Sequence, residues 1–397
     1  MKPRKIVLMG FMSRIPVAGV VWQHLHYVAG FRKVGCEVIY LEDTLSWPYD
    51  ARQLDQVEDP TVAAEFTKAM AERFHFRWGF RASYREPAET FGMSDADFVR
   101  AIQDADAVLN ICGAQELTER VRKAKCLVYV ESDPGVEQIK LAKKTQDTID
   151  FLSAHHARFT FGENLGQADC PVPMVEGFSW HPTRQPIVTE WWRPEKRRAK
   201  DGREPFRFTS VANWETKGKD IVWKNKVYYW SKTFEFLKFA DVPRAVAHRS
   251  PIAWELATDM RQDPASLELF GRQGWKLESP HEMSADPFLY QRYVQGSDAE
   301  WTVAKDQYVR WNTGWFSDRS ACYLAAGLPV ITQNTGFSKI IPVGEGLFDF
   351  RGVPEIQTAV DIILSDPAKH SKAASDLARE YFEAEKVCAG MLERLGL

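Results

Sequence analysis

Short apolar runs alternate with amphipathic stretches through most of this chain, and the alternation stops once and restarts. The run at 5–10 (KIVLMG) is apolar after its lysine, which predicts a strand buried on both faces. A loop with Ser13, Arg14, Pro16 and Gly19 follows, and Trp22, Leu25, Val28 and Phe31 then recur at helical spacing over 20–34. Gly35 ends that helix, and 37–41 (EVIYL) is the next strand. This βαβ opening predicts a parallel sheet with a right-handed crossover. The loop after its first strand then lies at the carboxyl end of the sheet, where open sheets bind ligands. It lacks a GxGxxG fingerprint, so a dinucleotide cofactor is not indicated.

The same reading predicts helices at 61–74, 95–103, 115–123 and 136–144, with strands at 107–112, 126–130 and 158–162. An aromatic, basic patch at 75–85 (HFRWGFRASYR) reads either as a lid or acceptor loop or as a packed surface excursion. Residues 170–203 break the pattern with prolines, tryptophans and the basic run 193–203, as a linker does. Alternation restarts with strands at 206–211, 244–248, 274–277, 300–304 and 328–332. A polar loop is expected at 215–226, and helices at 230–239, 252–261, 286–294, 318–326 and 353–364, with a helical tail over 368–397. Two halves of βα alternation predict two doubly wound domains facing across a cleft.

Composition narrows the class. The 397 residues exceed one ordinary core, and 45% hydrophobic with 26% charged residues is a globular balance. A net charge of −3 provides no general attraction to nucleic acid or acidic membrane. Cys36, Cys112, Cys126, Cys170, Cys322 and Cys388 are scattered without a CxxC pair, as buried thiols are. The basic N-terminus runs straight into a strand, so it reads as the first strand rather than a leader, and no stretch reaches the length of a membrane span. The expectation is a cytoplasmic protein. The 14 tryptophans and 24 phenylalanines suit a core and also a cleft that stacks sugars or bases.

Candidate chemistry collects at strand ends. Strand 126–130 runs into Glu131, Ser132, Asp133, Pro134 and Gly135, where a carboxylate serves either as general base or as a turn and N-cap. His155 and His156 precede another strand, and a histidine pair there reads as structural or as part of the same rim. The segment 314–332 is a loop, helix and strand. Its polar helix N-terminus, with Ser317, Arg319 and Ser320, reads as a phosphate site or as an ordinary capped helix. The DAD triplets at 95–97 and 104–106 lie in or beside a predicted helix, not at a strand end, so metal independence is expected.

With GFMSRIPVAGVVW near the start, ESDPG in the middle, and GWFSDRSACYLAAGLPV followed by ITQNTGF and GEGLFDF, the sequence resembles the GT-B glycosyltransferases. The likeness is strongest to bacterial glycosyltransferase family 1 and glycosyltransferase-like proteins, and is specific over 314–350. It implies an acceptor-binding Rossmann-like domain at 1–185, a linker at 186–204, a nucleotide-sugar domain at 205–375, and a C-terminal helix at 376–397 that can cross back. The implied activity is transfer of a hexosyl or pentosyl group from a nucleotide-diphosphate sugar to an acceptor, with no cofactor or metal. The partners are therefore the sugar nucleotide and the acceptor. A nucleic-acid base is one acceptor to consider, though the net charge does not favour it.

On this reading the donor is held by Asn213, Lys217, Lys219, Lys305, Arg310, Gly314, Ser317, Arg319, Ser320, Thr335 and Gly336. Asp133, Glu131 or His26 handles the acceptor hydroxyl, and Ser13, Arg14 and Gly19 form an acceptor loop. Retaining members of the group carry two glutamates where this chain has Gly314 and Cys322, so the sugar contacts come from elsewhere, Asp318 being one candidate. A sugar-nucleotide 2-epimerase and a non-catalytic scaffold of the same shape are the alternatives.

Overall fold

The strand Lys5–Met9 is paired on both sides by parallel neighbours, Glu37–Thr44 and Ala107–Ile111, and four of its five residues are buried. In the computed structural model, which describes residues 3–194, 204–247 and 251–397, it lies centrally in the first of two sheets. Among the described residues that sheet has eight strands, in the order His181–Pro182, Ala157–Thr160, Leu127–Glu131, Ala107–Ile111, Lys5–Met9, Glu37–Thr44, Arg77–Ala82 and Glu89–Phe91. Every pairing is parallel except the last. The second sheet has six strands, all parallel: Trp275–Glu278, Ile252–Ala257, Phe206–Val211, Ala299–Thr302, Val330–Gln333 and Leu347–Phe350.

Strand order reverses direction beside the first strand of each sheet, between Lys5–Met9 and Ala107–Ile111, and between Phe206–Val211 and Ala299–Thr302. At such a switch point the two connecting chains leave in opposite directions and open a crevice at the carboxyl ends. The halves are joined below this level by a shared apolar core. Trp22 of the helix Ala18–Lys33 donates its Nε1–H to the Pro287 carbonyl at 2.8 Å and packs against Trp191, Trp192, Phe74 and Phe288. The C-terminal helix Ala384–Arg394 lies on Ala18–Lys33, where Gly30 leaves room: a Cβ there would stand 2.6 Å from Cys388 Sγ.

Several elements differ from the sequence reading. The patch 75–85 is neither lid nor surface excursion; Arg77–Ala82 is a strand of the first sheet, with Phe80 and Ala82 fully buried. Residues 115–123 form a single tight turn, Val121–Lys123, because Leu117 and Val121 are the only apolar side chains there and the Gln115 side chain is held by the Gly10 carbonyl at 2.6 Å. In the second half, helix and strand exchange places: Val242–Ala245 is a helical turn, and Ile252–Ala257 is the strand. A short apolar run fits either period, and stacking of Trp254 on Phe208 at 4.7 Å settles the strand. The expected strand at 244–248 ends, and the basic run 193–203 mostly falls, outside the described residues. The expected loop 215–226 contains the antiparallel hairpin Ile221–Trp223 and Lys226–Tyr228.

Candidate functional site

The carboxyl ends of the two sheets face each other across a cleft of about 870 Å³. On the first-sheet side, the loop after Lys5–Met9 is tied down by a buried carboxylate. Glu42 accepts the Ser13 and Arg14 backbone N–H groups at 2.8 and 2.7 Å and the Tyr40 hydroxyl at 2.8 Å. Burial raises this carboxyl to about 6 against those hydrogen bonds. The loop therefore presents Phe11, Arg14 and Ile15 to the cleft as a fixed wall, with Gly19 and Val20 of the following helix beside them.

Asp133 is the carboxylate that enters the cleft from the next loops. Its Oδ1 accepts from Lys305 Nζ at 2.7 Å and from the Tyr308 hydroxyl, and Ser132 Oγ donates to Oδ2 at 3.2 Å. Burial works against ionisation, but the Lys305 charge and these donors hold the carboxyl below its usual range. Lys305 stands over the Trp230 ring, 3.3 Å from its centroid, and Lys219 approaches the same ring at 4.9 Å. Lys305 is at the end of Ala299–Thr302 and Asp133 just past Leu127–Glu131, so this ion pair bridges the halves. Trp315 Nε1–H adds a second bridge to the Ser132 carbonyl at 2.9 Å.

Arg319 spans the second switch point. Its Nη1 donates to the Val211 carbonyl at 2.5 Å, Nη2 to Thr302 Oγ1 at 2.7 Å, and Nε to the buried Glu300 at 2.5 Å. Three of its five N–H groups are thus committed to two adjacent strand ends. Lys232 lines the cleft beside it and was not singled out by the sequence. Among the described residues its side chain has no hydrogen bond or ion pair, and its pKa lies well below the ordinary lysine value. Burial is the main cause, followed by the positive charge of Arg319; the Glu300 carboxylate opposes the shift, and Lys305 adds to it. No sequence signal marks it, because the position looks like the interior of a helix. The helix instead starts at Thr233, which leaves Lys232 at its N-cap, turned to the cleft.

Asp318, the first residue of the helix Asp318–Ala325, also lines the cleft. Its Oδ1 is buried without a partner. Burial, reinforced by the nearby negative charge of Asp133 and opposed by Arg319, raises this carboxyl to about 7.

The cleft thus brings together Asp133, Asn213, Lys219, Lys305, Ser317, Arg319, Arg14 and Gly19 of the residues expected from sequence. His26 reaches its wall but is 1% exposed. Its ring nitrogens face the Val188 N–H at 3.1 Å and Trp192 Nε1 at 3.0 Å, and burial lowers its pKa to about 3, so it is a core histidine. Glu131 is not in the cleft. It is buried, bonded to Gln138 at 2.9 Å and Thr160 at 2.5 Å, and burial raises it to about 8. Ser13 is buried under its loop, its Oγ accepting from Thr67 at 2.6 Å.

Lys217 is 79% exposed and pairs with Glu215. Arg310 turns outward to the Val227 carbonyl at 2.6 Å and to Asp306 at 3.0 Å. Ser320 is fully buried in the helix face away from the cleft lining. Thr335 and Gly336 spend their backbone on the neighbouring loop: the Thr335 carbonyl accepts from Gly314 N–H at 2.7 Å, and Gly336 N–H donates to Asn334 at 2.6 Å. Gly314 has φ +81°, and a Cβ there would stand 2.6 Å from the Asn164 backbone nitrogen. A glutamate at 314 is therefore excluded by close approach of the two halves. His155 is also structural, with Nδ1 on the Phe151 carbonyl at 2.8 Å.

Among the described residues, no three His, Cys, Asp or Glu side chains converge as metal ligands do. No helix among them is long and apolar enough to cross a membrane.

No family model matches the sequence, and no curated protein does. Solved structures do match along the whole chain. Anabaena HepE, solved with UDP and glucose, superposes with a TM-score of 0.58 at 10% identity, covering 99% of both chains. An α-glucosyltransferase solved with UDP-glucose and DNA containing an abasic site gives 0.57 at 12% identity, again over 99% of both. A glycosyltransferase from Rickettsia africae gives 0.54 at 12% identity, over 99% of this chain and 98% of that one. These are GT-B glycosyltransferases, and the fold of this chain is GT-B.

Proposed function

We propose that this protein is a glycosyltransferase that binds a nucleotide-diphosphate sugar on the second-sheet side of its cleft and transfers the sugar to an acceptor held by the first. The observation that carries the reading is Lys232, a half-buried lysine lining the cleft whose side chain has no partner among the described residues, with Arg319 and Lys305 close enough to act on its charge. Three basic side chains lining one end of the cleft, at the carboxyl end of a parallel sheet, make a site suited to an anion. A diphosphate matches the charge. Lys232, Lys305 and the two uncommitted N–H groups of Arg319 supply donors where negative charge develops on the leaving group. Trp230, already under Lys219 and Lys305, is an aromatic face available for stacking.

Two of these solved structures hold UDP or UDP-glucose, which makes UDP-glucose the first donor to try. Asp133 is committed to Lys305 and Tyr308, so its part in this reading is to position Lys305 rather than to accept a proton. For a nucleic-acid acceptor, the α-glucosyltransferase solved with DNA is a support, whereas the aromatic, basic patch at 75–85 is largely a strand of the sheet and the net charge is −3.

The test is a thermal-shift and calorimetric titration with UDP, GDP, ADP and their sugar nucleotides, on the parent and on Lys232→Met. The reading expects one nucleotide series to raise the melting temperature of the parent by mass action, and the variant to lose most of the effect. Binding by none of them removes it. Products analysed without an acceptor separate transfer from 2-epimerisation, since an epimerase converts the sugar nucleotide alone.

A further inference from the structure

Asp133 and Asp318 both line the cleft, and of the two only Asp318 has an oxygen buried without a hydrogen-bond partner among the described residues. The Asp133 oxygens receive Lys305, Tyr308 and Ser132. Asp318 has no side-chain hydrogen bond or ion pair among the described residues, and its Oδ1 is buried and unpartnered. It is the first residue of the helix Asp318–Ala325 and lines the cleft. That puts the carboxylate near the meeting line of the halves. The ionisable groups that sense it come from both: Tyr27 and Cys112 from the first, Tyr308, Arg319 and Cys322 from the second, and Asp133 across the line.

Resting on the transferase reading above, we propose that Asp318 is the catalytic base, taking the proton from the acceptor hydroxyl in a single displacement that inverts the anomeric centre. The acceptor O–H proton passes to the Asp318 carboxylate. The acceptor oxygen's electron pair forms the new bond to the anomeric carbon as the bond from that carbon to the diphosphate oxygen breaks. The breaking pair leaves with the nucleoside diphosphate, whose added negative charge meets Lys232 and Lys305. The proton then returns to water. A group that accepts a proton near neutral pH is matched to this task. The environment divides the carboxylates accordingly, with Asp133 held ionised by Lys305 and Asp318 lifted by burial.

The experiment uses the full chain with UDP-glucose as donor and water as acceptor, following UDP release from about pH 5 to about pH 9 in the parent, Asp318→Asn and Asp318→Glu. UDP affinity is measured in parallel. The expected result is a fall of roughly 10²–10⁴-fold in kcat for Asp318→Asn, loss of the rising limb of the pH profile, and partial recovery in Asp318→Glu. UDP affinity should stay within about twofold, and the released sugar should have the inverted configuration. UDP binding that is unchanged, with Asp318→Asn turning over like the parent, overturns the base assignment while leaving the transferase reading intact. So does a loss confined to UDP affinity, a retained anomer, or a parent that binds UDP-glucose and hydrolyses none of it. Absence of UDP-glucose and UDP binding in the parent overturns the base assignment together with this choice of donor.

Discussion

Replacing Lys232 by methionine keeps the length of the side chain and removes its charge. In the unliganded protein its side chain is half-buried without a hydrogen-bond partner among the described residues, near Arg319 and Lys305, and its pKa is depressed chiefly by desolvation. Removing the charge should therefore raise stability slightly, by at most about 1 kcal/mol, the low end of the scale for polar groups left without a partner. With a diphosphate bound the sign reverses. One charge-assisted hydrogen bond is lost, costing about 1.5–3 kcal/mol, or roughly 10–150-fold in Kd for UDP.

The linkage is also signed. The unfolded chain holds the Lys232 proton more tightly than the folded one, so this group makes stability rise with pH from its folded pKa up to the ordinary value of 10.5, and the variant should lack that contribution. An anion restores the proton, so nucleotide binding should be accompanied by proton uptake at alkaline pH in the parent and by less in the variant. Calorimetry in two buffers of different ionisation enthalpy reads this directly, and denaturant melts read the stability. A variant that is less stable than the parent yet binds UDP equally well would refute the reasoning, since it would make Lys232 a packing residue.

Three further outcomes follow from the same geometry. Gly314→Ala should destabilise by about 1–3 kcal/mol in chemical denaturation, because its φ is +81° and its Cβ would meet the Asn164 nitrogen at 2.6 Å. Asp133→Asn should weaken UDP binding by releasing Lys305, with only about 1 kcal/mol lost from stability because the Asp133 side chain is 40% exposed; titration and urea melts separate the two. Asp318→Asn should flatten the stability profile between about pH 4 and about pH 7. The folded carboxyl, lifted to about 7 chiefly by burial, binds its proton more tightly than the unfolded one, so parent stability falls as pH rises through that window and the variant loses one proton of that slope.

The βα alternation at both ends of the chain was legible because a strand buried on both faces needs a continuous apolar run. KIVLMG, FRFTSV and the run before QNTGF all lie in central or near-central strands. Asp318–Ala325 was readable for a second local reason, since its Gly327 stop and Pro329 are punctuation that acts within a few residues. Where the local pattern fitted two periods, as at 244–257, the partner decided, and Phe208 with Trp275 and Trp301 made a strand of what reads equally as a helix.

The site divided along the same line. Lys305 and Asp133 could be named because they follow apolar runs, and the end of a parallel strand is a place that sequence order specifies; Arg319 could be named because it opens a helix after a small-residue turn. Whether such a residue faces the cleft is not specified by order, and Glu131 and Asp133, two positions apart, ended in a sealed hydrogen-bond cluster and in the cleft. Lys232 and Asp318 owe their chemistry to burial and to charges brought from distant segments, and the missing glutamate at 314 to the backbone of Asn164. Desolvation, charge proximity and steric exclusion are properties of what surrounds a residue in space, so only the tertiary structure could decide them.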